Sequence, residues 1–324
     1  MAALARSALR YSARHEAAAS DSFADHAIAG LGDAPKWLSA KYFYDAAGSA
    51  LFEEITRLPE YYPTRTELSI LTRCASEMSA YIPLSAALVE FGTGSTKKAR
   101  ILIEAAPQLA AYVPVDISAE FLAQEAIALR RDVPWLPVLP VAADFTRDFE
   151  LPPQIRSRPR VGFFPGSTIG NFEPEDATEF LRQAGRVLGQ GATMIVGVDL
   201  IKDTAVLDAA YNDAAGVTAQ FNLNILARMN RELSGNFDLS SFRHFAFYNV
   251  EHHRIEMHLE SLKDQTVAVA GRTLEFRKGE TIHTENSYKY TVDSFRVLAR
   301  EAGWRSAATW TDEKNYFSVH ALRL

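Results

Sequence analysis

A single cysteine, Cys74, stands among the 324 residues. No intramolecular disulfide is possible, which fits a reducing compartment and leads to the expectation of a cytoplasmic protein. Cys74 lies in a helical-looking stretch and reads as a packing residue. Long apolar runs are also lacking, and none approaches the roughly 20 residues that span a bilayer. Met1 to Ala19 carries scattered arginines without a continuous hydrophobic region, unlike a secretory signal. Positive charge is in deficit, with 34 Lys+Arg against 40 Asp+Glu and a net charge of −6. A nucleic-acid backbone as main partner would favour a basic face, so neither nucleic acid nor membrane is expected as a partner. Cysteine pairs and a His-Glu-x-x-His pattern are missing. The histidines at 252, 253, 258 and 283 could suggest a metal, but His252 and His253 are expected on opposite faces of a strand, and no metal is expected. What remains is ordinary globular composition, 48% apolar and 23% charged. Its length suffices for one large core or two modest ones.

One further absence lies in the most informative stretch, Glu90-Phe91-Gly92-Thr93-Gly94-Ser95-Thr96-Lys97. It follows the apolar run Ala86–Val89 and leads into a helix expected over Lys97–Ala106. A second apolar run ends in an acid at Asp116. Strand, glycine turn, helix, strand and acid describe a nucleotide-binding βαβ unit. A dinucleotide fingerprint would carry a third glycine, so that a pyrophosphate could meet the helix N-terminus. That glycine is missing, and no Gly-Lys-Ser/Thr triplet offers a phosphate loop. Glu90 would repel a phosphate but suits the cationic end of a ligand. S-adenosylmethionine has an amino group, a sulfonium and no phosphate, so a methyl donor is the first reading.

Alternating strands and helices run from about Glu67 to Leu200. Strands are expected at Ala87–Phe91, Ala111–Val115, Arg160–Phe164 and Met194–Leu200, with a short apolar run at Leu136–Val141 and a helix at Pro174–Leu188. Thr64-Arg65-Thr66-Glu67 has capping-box spacing and predicts a helix from there to about Tyr81. Such alternation indicates a parallel sheet covered on both faces. Residues 201–235 read as helical. Residues 241–290 read as antiparallel strands: Phe242–Tyr248, Arg254–Leu259, Thr266–Ala270 and Arg272–Phe276. A helix, Val292–Ala302, and two strands, Ser306–Thr311 and Tyr316–Leu322, follow. The expected organisation is a methyltransferase domain over 67–199 and 290–324, with a smaller α+β substrate domain over 1–66 and 200–289.

In open α/β sheets ligands bind beyond the carboxyl ends of strands. Glu90, Gly92, Thr93, Gly94, Ser95 and Lys97 are the loop's candidate cofactor residues. Asp116 would accept from the ribose hydroxyls. Asp144 would accept from the adenine amino group, with Phe145 on the ring. Either aspartate alone could equally serve a loop or cap, but their joint placement at strand ends favours binding. Asn171, in Gly166-Ser167-Thr168-Ile169-Gly170-Asn171, offers an amide at the lip of the sheet or a cap before Pro174. In Arg254–Leu259, period two places Met257 on the apolar side, as a core residue. Glu285 and Ser287 share a face if their segment is extended. That face could hold the two nitrogens of an imidazole, or be an ordinary solvated one.

At these residues the chain closely resembles the histidine Nα-methyltransferases of ergothioneine biosynthesis. The matching segments are Tyr42–Ser49, Leu51–Glu67 with its Glu-Tyr-Tyr-Pro-Thr-Arg-Thr-Glu block, Gly166–Asn171, Tyr211–Thr218 and Arg254–Met257. The resemblance runs from about Lys36 to the C-terminus. It implies a class I methyltransferase seven-stranded Rossmann-like sheet and S-adenosylmethionine as methyl donor. It also implies trimethylation of the α-amino group of free L-histidine to hercynine, with histidine bound between two domains. Carboxylate contacts then correspond to Asn171 and Tyr211, and imidazole contacts to Glu285 and Ser287, with Met257 shaping the pocket. Tyr44, Phe52 and Tyr61 match aromatic residues near the substrate, and Gly166, Thr168 and Thr218 match further pocket positions. The expected form is a monomer. A relative that methylates another amino acid or small amine is the alternative.

Overall fold

The structure is a computed structural model and describes residues 22–324. The N-terminal reading at Met1–Ala19 lies outside the described residues. In chain order the described strands are β1 (Lys36–Trp37), β2 (Ala87–Phe91), β3 (Ala111–Asp116), β4 (Val141–Ala142), β5 (Arg160–Phe164) and β6 (Thr193–Asp199). They continue with β7 (Phe242–Asn249), β8 (Arg254–Ser261), β9 (Gln265–Val269), β10 (Arg272–Phe276), β11 (Thr281–Tyr288), β12 (Arg305–Thr311) and β13 (Phe317–Arg323). The described residues form two compact units, one of Pro63–Ile201 and Lys289–Leu324, the other of the described residues up to Tyr62 and Lys202–Tyr288.

The first unit holds a seven-stranded sheet in the order β12-β13-β6-β5-β2-β3-β4. The strands from β6 to β4 run parallel, and β13 joins β6 antiparallel. Every residue of β2 and β6 is buried, as expected of central parallel strands covered on both faces, whose sequences are nearly continuous apolar runs. Helix Pro174–Leu188 starts with proline in its first turn and Glu175 and Asp176 beside it, and ends at Gly189 with φ +84°. These residues suit the vacant amides of a helix start and the left-handed turn at its end. Cys74 packs into the core with Ile70, Leu88, Phe163 and Phe317. Strand order reverses between β2 and β5, so the loops after these two strands flank the switch point where such sheets bind ligands.

The second unit contains a four-stranded sheet, β1-β11-β8-β7, and the hairpin β9-β10. Helices Thr204–Tyr211 and Val217–Glu232 belong to this unit. Strand β1 and helices Phe23–Gly32 and Ala46–Ile55 have no counterpart in the sequence reading.

Two local expectations are corrected. The helix predicted from Thr64 runs Tyr62–Ser79. Pro63 fits its first turn, where no amide partner is needed, and Glu67 lies inside it, wholly buried, not at a cap. His252 and His253 are not strand residues but lie in the turn joining β7 to β8. The Asn249 side chain accepts from the amides of Glu251 and His252, and His253 has φ +51°. No helix among the described residues is long and apolar enough to cross a membrane.

Candidate active site

In the first unit the glycine loop leaves β2 with Gly92 at φ +70°. A Cβ on Gly92 would stand 3.1 Å from Phe145 Cε1, so this glycine lets the Phe145 ring lie against the loop. Beside Gly94 nothing lies within 4 Å of a Cβ position, which leaves room for a ligand. The amides of Gly92 and Thr93 donate to Val115 O at 2.9 and 3.2 Å, tying the loop to the end of β3. Thr93 is buried, and its hydroxyl donates to Glu90 Oε2 at 3.4 Å. The loop continues through Ser95, whose hydroxyl accepts from Lys97 N at 3.4 Å.

Glu90 is buried and accepts a hydrogen bond from the Tyr112 hydroxyl. Burial pushes its carboxyl up to about 8, against the opposing pull of Tyr112 and the Lys98 charge. The acid expected to meet a cationic ligand end thus holds its proton more tightly than an ordinary carboxyl. Asp116 ends β3, accepts from Ser118 N at 3.0 Å and is raised by burial. Asp144 accepts from the amide and hydroxyl of Thr146 at 2.9 and 2.6 Å. One of its oxygens therefore shapes its own turn, as the loop reading allowed. Phe145 packs on Phe164 and Phe180 at 5.8 Å.

The loop after β5 carries Gly166, Thr168 and Asn171. Gly166 and Ser167 both take left-handed backbone, φ +82° and +58°. The turn is pinned by Thr168 Oγ1 donating to Pro165 O at 3.0 Å and Asp199 N donating to Ser167 Oγ at 2.9 Å. Asp199 is itself paired with Lys289 at 2.8 Å, both side chains 1% exposed.

In the second unit an aromatic series runs Tyr44, Phe52, Tyr61, Tyr211 with ring centroids 5.7, 6.2 and 6.3 Å apart. Phe221, absent from the sequence reading, backs Tyr44 and Phe52 at 5.7 and 6.0 Å. The Tyr211 hydroxyl donates to Ser287 Oγ at 2.9 Å. Thr218 is buried in the first turn of Val217–Glu232, its amide donating to Asp213 Oδ1 at 2.8 Å.

Glu285 and Ser287 lie on β11, which is extended throughout. A β-bulge between His283 and Glu285 shifts the register, so that Glu285 stands opposite Met257 and Ser287 opposite Ile255. Directly opposite residues share a face. The buried Met257, Glu285 and Ser287 therefore line one surface. This is not the solvated strand face that the sequence left open. The bulge is held from both sides. Thr284 Oγ1 lies 2.8 Å from Asn222 Oδ1 and 3.0 Å from Met257 O. On the opposite face His283 Nε2 lies 3.1 Å from Glu285 O and 2.8 Å from Asn286 Oδ1.

That opposite face brings Glu256, His258 and His283 together, with potential ligand atoms within 4.8 Å of one another. Arg254 already holds Glu256 at 2.8 Å, and the two imidazoles stack at 4.5 Å. Burial works to raise Glu256, but the His258 hydrogen bond and the Arg254 charge hold its carboxyl below the usual range. Burial, aided by His258, depresses His283 to about 4. A cation here would compete with an arginine and with the contacts that hold the bulge.

Residues 23–324 match the family described as histidine-specific, S-adenosylmethionine-dependent methyltransferase. The chain belongs to that family. The histidine N-alpha-methyltransferase of Mycolicibacterium smegmatis is 43% identical over 296 residues, covering 90% of this chain and 91% of that one. Ergothioneine biosynthesis protein 1 of Neurospora crassa is 32% identical over 316 residues, covering 90% of this chain and 33% of that one. A 4-dimethylallyltryptophan N-methyltransferase of Aspergillus fumigatus is 29% identical over 326 residues, covering 95% of this chain and 96% of that one. Open space lies beside Gly94, an acid ends β3, and the Phe145 ring lies against Gly92.

Proposed function

We propose that this methyltransferase transfers three methyl groups to the α-amino nitrogen of free L-histidine, giving hercynine, as the first step of ergothioneine biosynthesis. The observation that carries the reading is the bulge-aligned face of Met257, Glu285 and Ser287, with Tyr211 bonded to Ser287. A carboxylate and a hydroxyl two residues apart on one buried strand face suit the two ring nitrogens of an imidazole. Asn171 and Tyr211 would take the substrate carboxylate, and Tyr44, Phe52 and Tyr61 would enclose the amine. Gly166, Thr168 and Thr218 complete the acceptor set. Gly92, Thr93, Gly94, Ser95 and Lys97 would shape the cofactor loop around Glu90, with Asp116 on the ribose and Asp144 and Phe145 on the adenine.

The bound cofactor supplies an already activated sulfonium methyl, so the protein's main task is alignment. Each transfer needs a nitrogen with a free lone pair. The products of the first and second transfers must each lose a proton before the next. An α-amino group with a pKa near ~8 offers a useful neutral fraction without a strong base. Tyr44 and Asn171 would orient the nitrogen and leave room as methyls accumulate.

The test is incubation with S-adenosylmethionine and a mixture of amino acids, followed by mass spectrometry. Trimethylhistidine as the dominant product is expected. Another methylated amine in its place overturns the acceptor assignment. The same reading takes the enzyme to be a cytoplasmic monomer, which light scattering and cell fractionation check.

A further inference from the structure

Glu67 closes the most specific sequence block of the chain, yet neither the cofactor set nor the acceptor set uses it. Its side chain is wholly buried within helix Tyr62–Ser79. Both its carboxylate oxygens lie 2.9 Å from the Gly166 amide. Lys98 Nζ lies 2.6 Å from Oε2. On the remaining side a Cβ at Gly197 would stand 2.1 Å from Oε1, so β6 leaves space for this carboxylate only because residue 197 is glycine.

The three partners come from different parts of the first unit. Lys98 is in the first turn of Lys97–Ala105, directly after the glycine loop. Gly166 opens the loop that carries Thr168 and Asn171. Gly197 is in β6, two residues before the Asp199 amide that donates to Ser167. Ser167 holds a left-handed backbone that L residues adopt reluctantly. Such a turn persists when its surroundings over-determine it.

We propose that Glu67 is a positioning residue for methyl transfer, fixing the Gly166–Asn171 loop through the Gly166 amide. The inference rests on the assignment of Thr168 and Asn171 to the acceptor set. The ion pair with Lys98 aims the carboxylate, and the missing side chain at Gly197 admits it. Glu67 touches neither substrate nor cofactor in this role.

The test compares Glu67→Gln with Glu67→Asp in the full-length enzyme. Glutamine keeps the length and one oxygen to accept from Gly166. Aspartate keeps the charge but withdraws the oxygens by one methylene. An error of about an ångström in alignment costs roughly a hundredfold in rate. Glu67→Asp is therefore expected to lower kcat at least about tenfold and raise the histidine KM. Glu67→Gln should retain most of kcat. The dissociation constant of S-adenosylmethionine, read by calorimetry, should stay within about threefold in both, well under a tenfold change. Gly197→Ala, which crowds the carboxylate from behind, should repeat the Glu67→Asp pattern.

Equal kcat in the aspartate and glutamine variants overturns the proposal. So does a loss of cofactor affinity that matches the loss of kcat, which would make Glu67 a support of the cofactor loop or of the fold. If Glu67→Asp does not yield folded protein, Gly197→Ala with native kcat has the same force. A wild-type enzyme that methylates a different amine overturns the acceptor assignment instead, and the comparison is then made on that amine.

Discussion

Removing the charge at Glu285 isolates the chemistry that would favour histidine over other amino acids. Glu285 is 8% exposed and opposite Met257, its carbonyl oxygen lies 3.1 Å from His283 Nε2, and the neighbouring Thr284 Oγ1 lies 3.0 Å from Met257 O. Substitution should therefore change the pocket's chemistry while the bulge stays in place. A hydrogen bond involving a charged group contributes about 1.5–3 kcal/mol, a neutral one about 0.5–1.5. Glu285→Gln keeps an acceptor and loses the charge, a difference of about 1–1.5 kcal/mol, or roughly 5–13-fold in histidine KM. Glu285→Ala loses the whole interaction, roughly 10–150-fold. Initial rates of S-adenosylhomocysteine release give KM, and mass spectrometry of a histidine–tryptophan mixture gives the preference. Because an indole offers the carboxylate only one N–H and no charge, the preference for histidine should fall as KM rises, by no more than the same factor. A Glu285→Ala enzyme with unchanged KM and unchanged preference would falsify the assignment of Glu285 to the imidazole.

Glu90 is raised to about 8 by burial, against about 4.3 in an unfolded chain. Between those values the folded protein holds a proton that the unfolded chain has lost, so stability falls as pH rises through this window. Glu90→Gln should melt higher than wild type at pH 8 and alike at pH 4; a difference in Tm that does not vary with pH would count against this. Gly92→Ala must hold φ +70° at a cost of about 1–2 kcal/mol. It also moves the Phe145 ring. The strain should show as a lower Tm, and the shifted Phe145 ring as weaker S-adenosylmethionine binding by calorimetry; native Tm would exclude the strain argument, and native affinity the placing of Phe145 against the cofactor. Lys289→Met takes the paired cation from the buried Asp199, 1% exposed, at up to about 3–5 kcal/mol. That is roughly 6–20 °C in Tm. Adding Asp199→Asn should restore much of the loss, and simple additivity of the two changes would refute the pairing.

The parallel core was legible because buried central strands are continuous apolar runs, as in β2 and β5. The joint presence of Glu285 and Ser287 on one face was legible from period two alone. What those residues face was not, because the bulge that sets them opposite Met257 leaves no mark on residue type. Glu67 was misread for a related reason. Threonine and glutamate three apart is a common capping pattern, whereas its real partner, Gly166, lies 99 residues away along the chain. The turn at His252 and His253 was taken as strand because the flanking segments alternate. Its stop signal is the Asn249 side chain capping two amides, which only the folded turn displays. Phe221 gave no signal beyond an apolar helical position, yet it packs behind two of the aromatic residues.

The bulge in β11 also bears on how faithfully the sheet assembles. Before it, Thr281, Ile282 and His283 face Glu260, Leu259 and His258. An unbroken ladder would continue with Thr284 opposite Met257 and Glu285 opposite Glu256. Two carboxylates would then meet in the sheet interior, where like charges repel strongly. Arg254, already paired with Glu256, would have to serve both. The acid that would recognise the substrate thereby also penalises the misaligned sheet. Replacing it with an apolar residue would leave the native bulge its Thr284 and His283 contacts while lifting the penalty on the competing register.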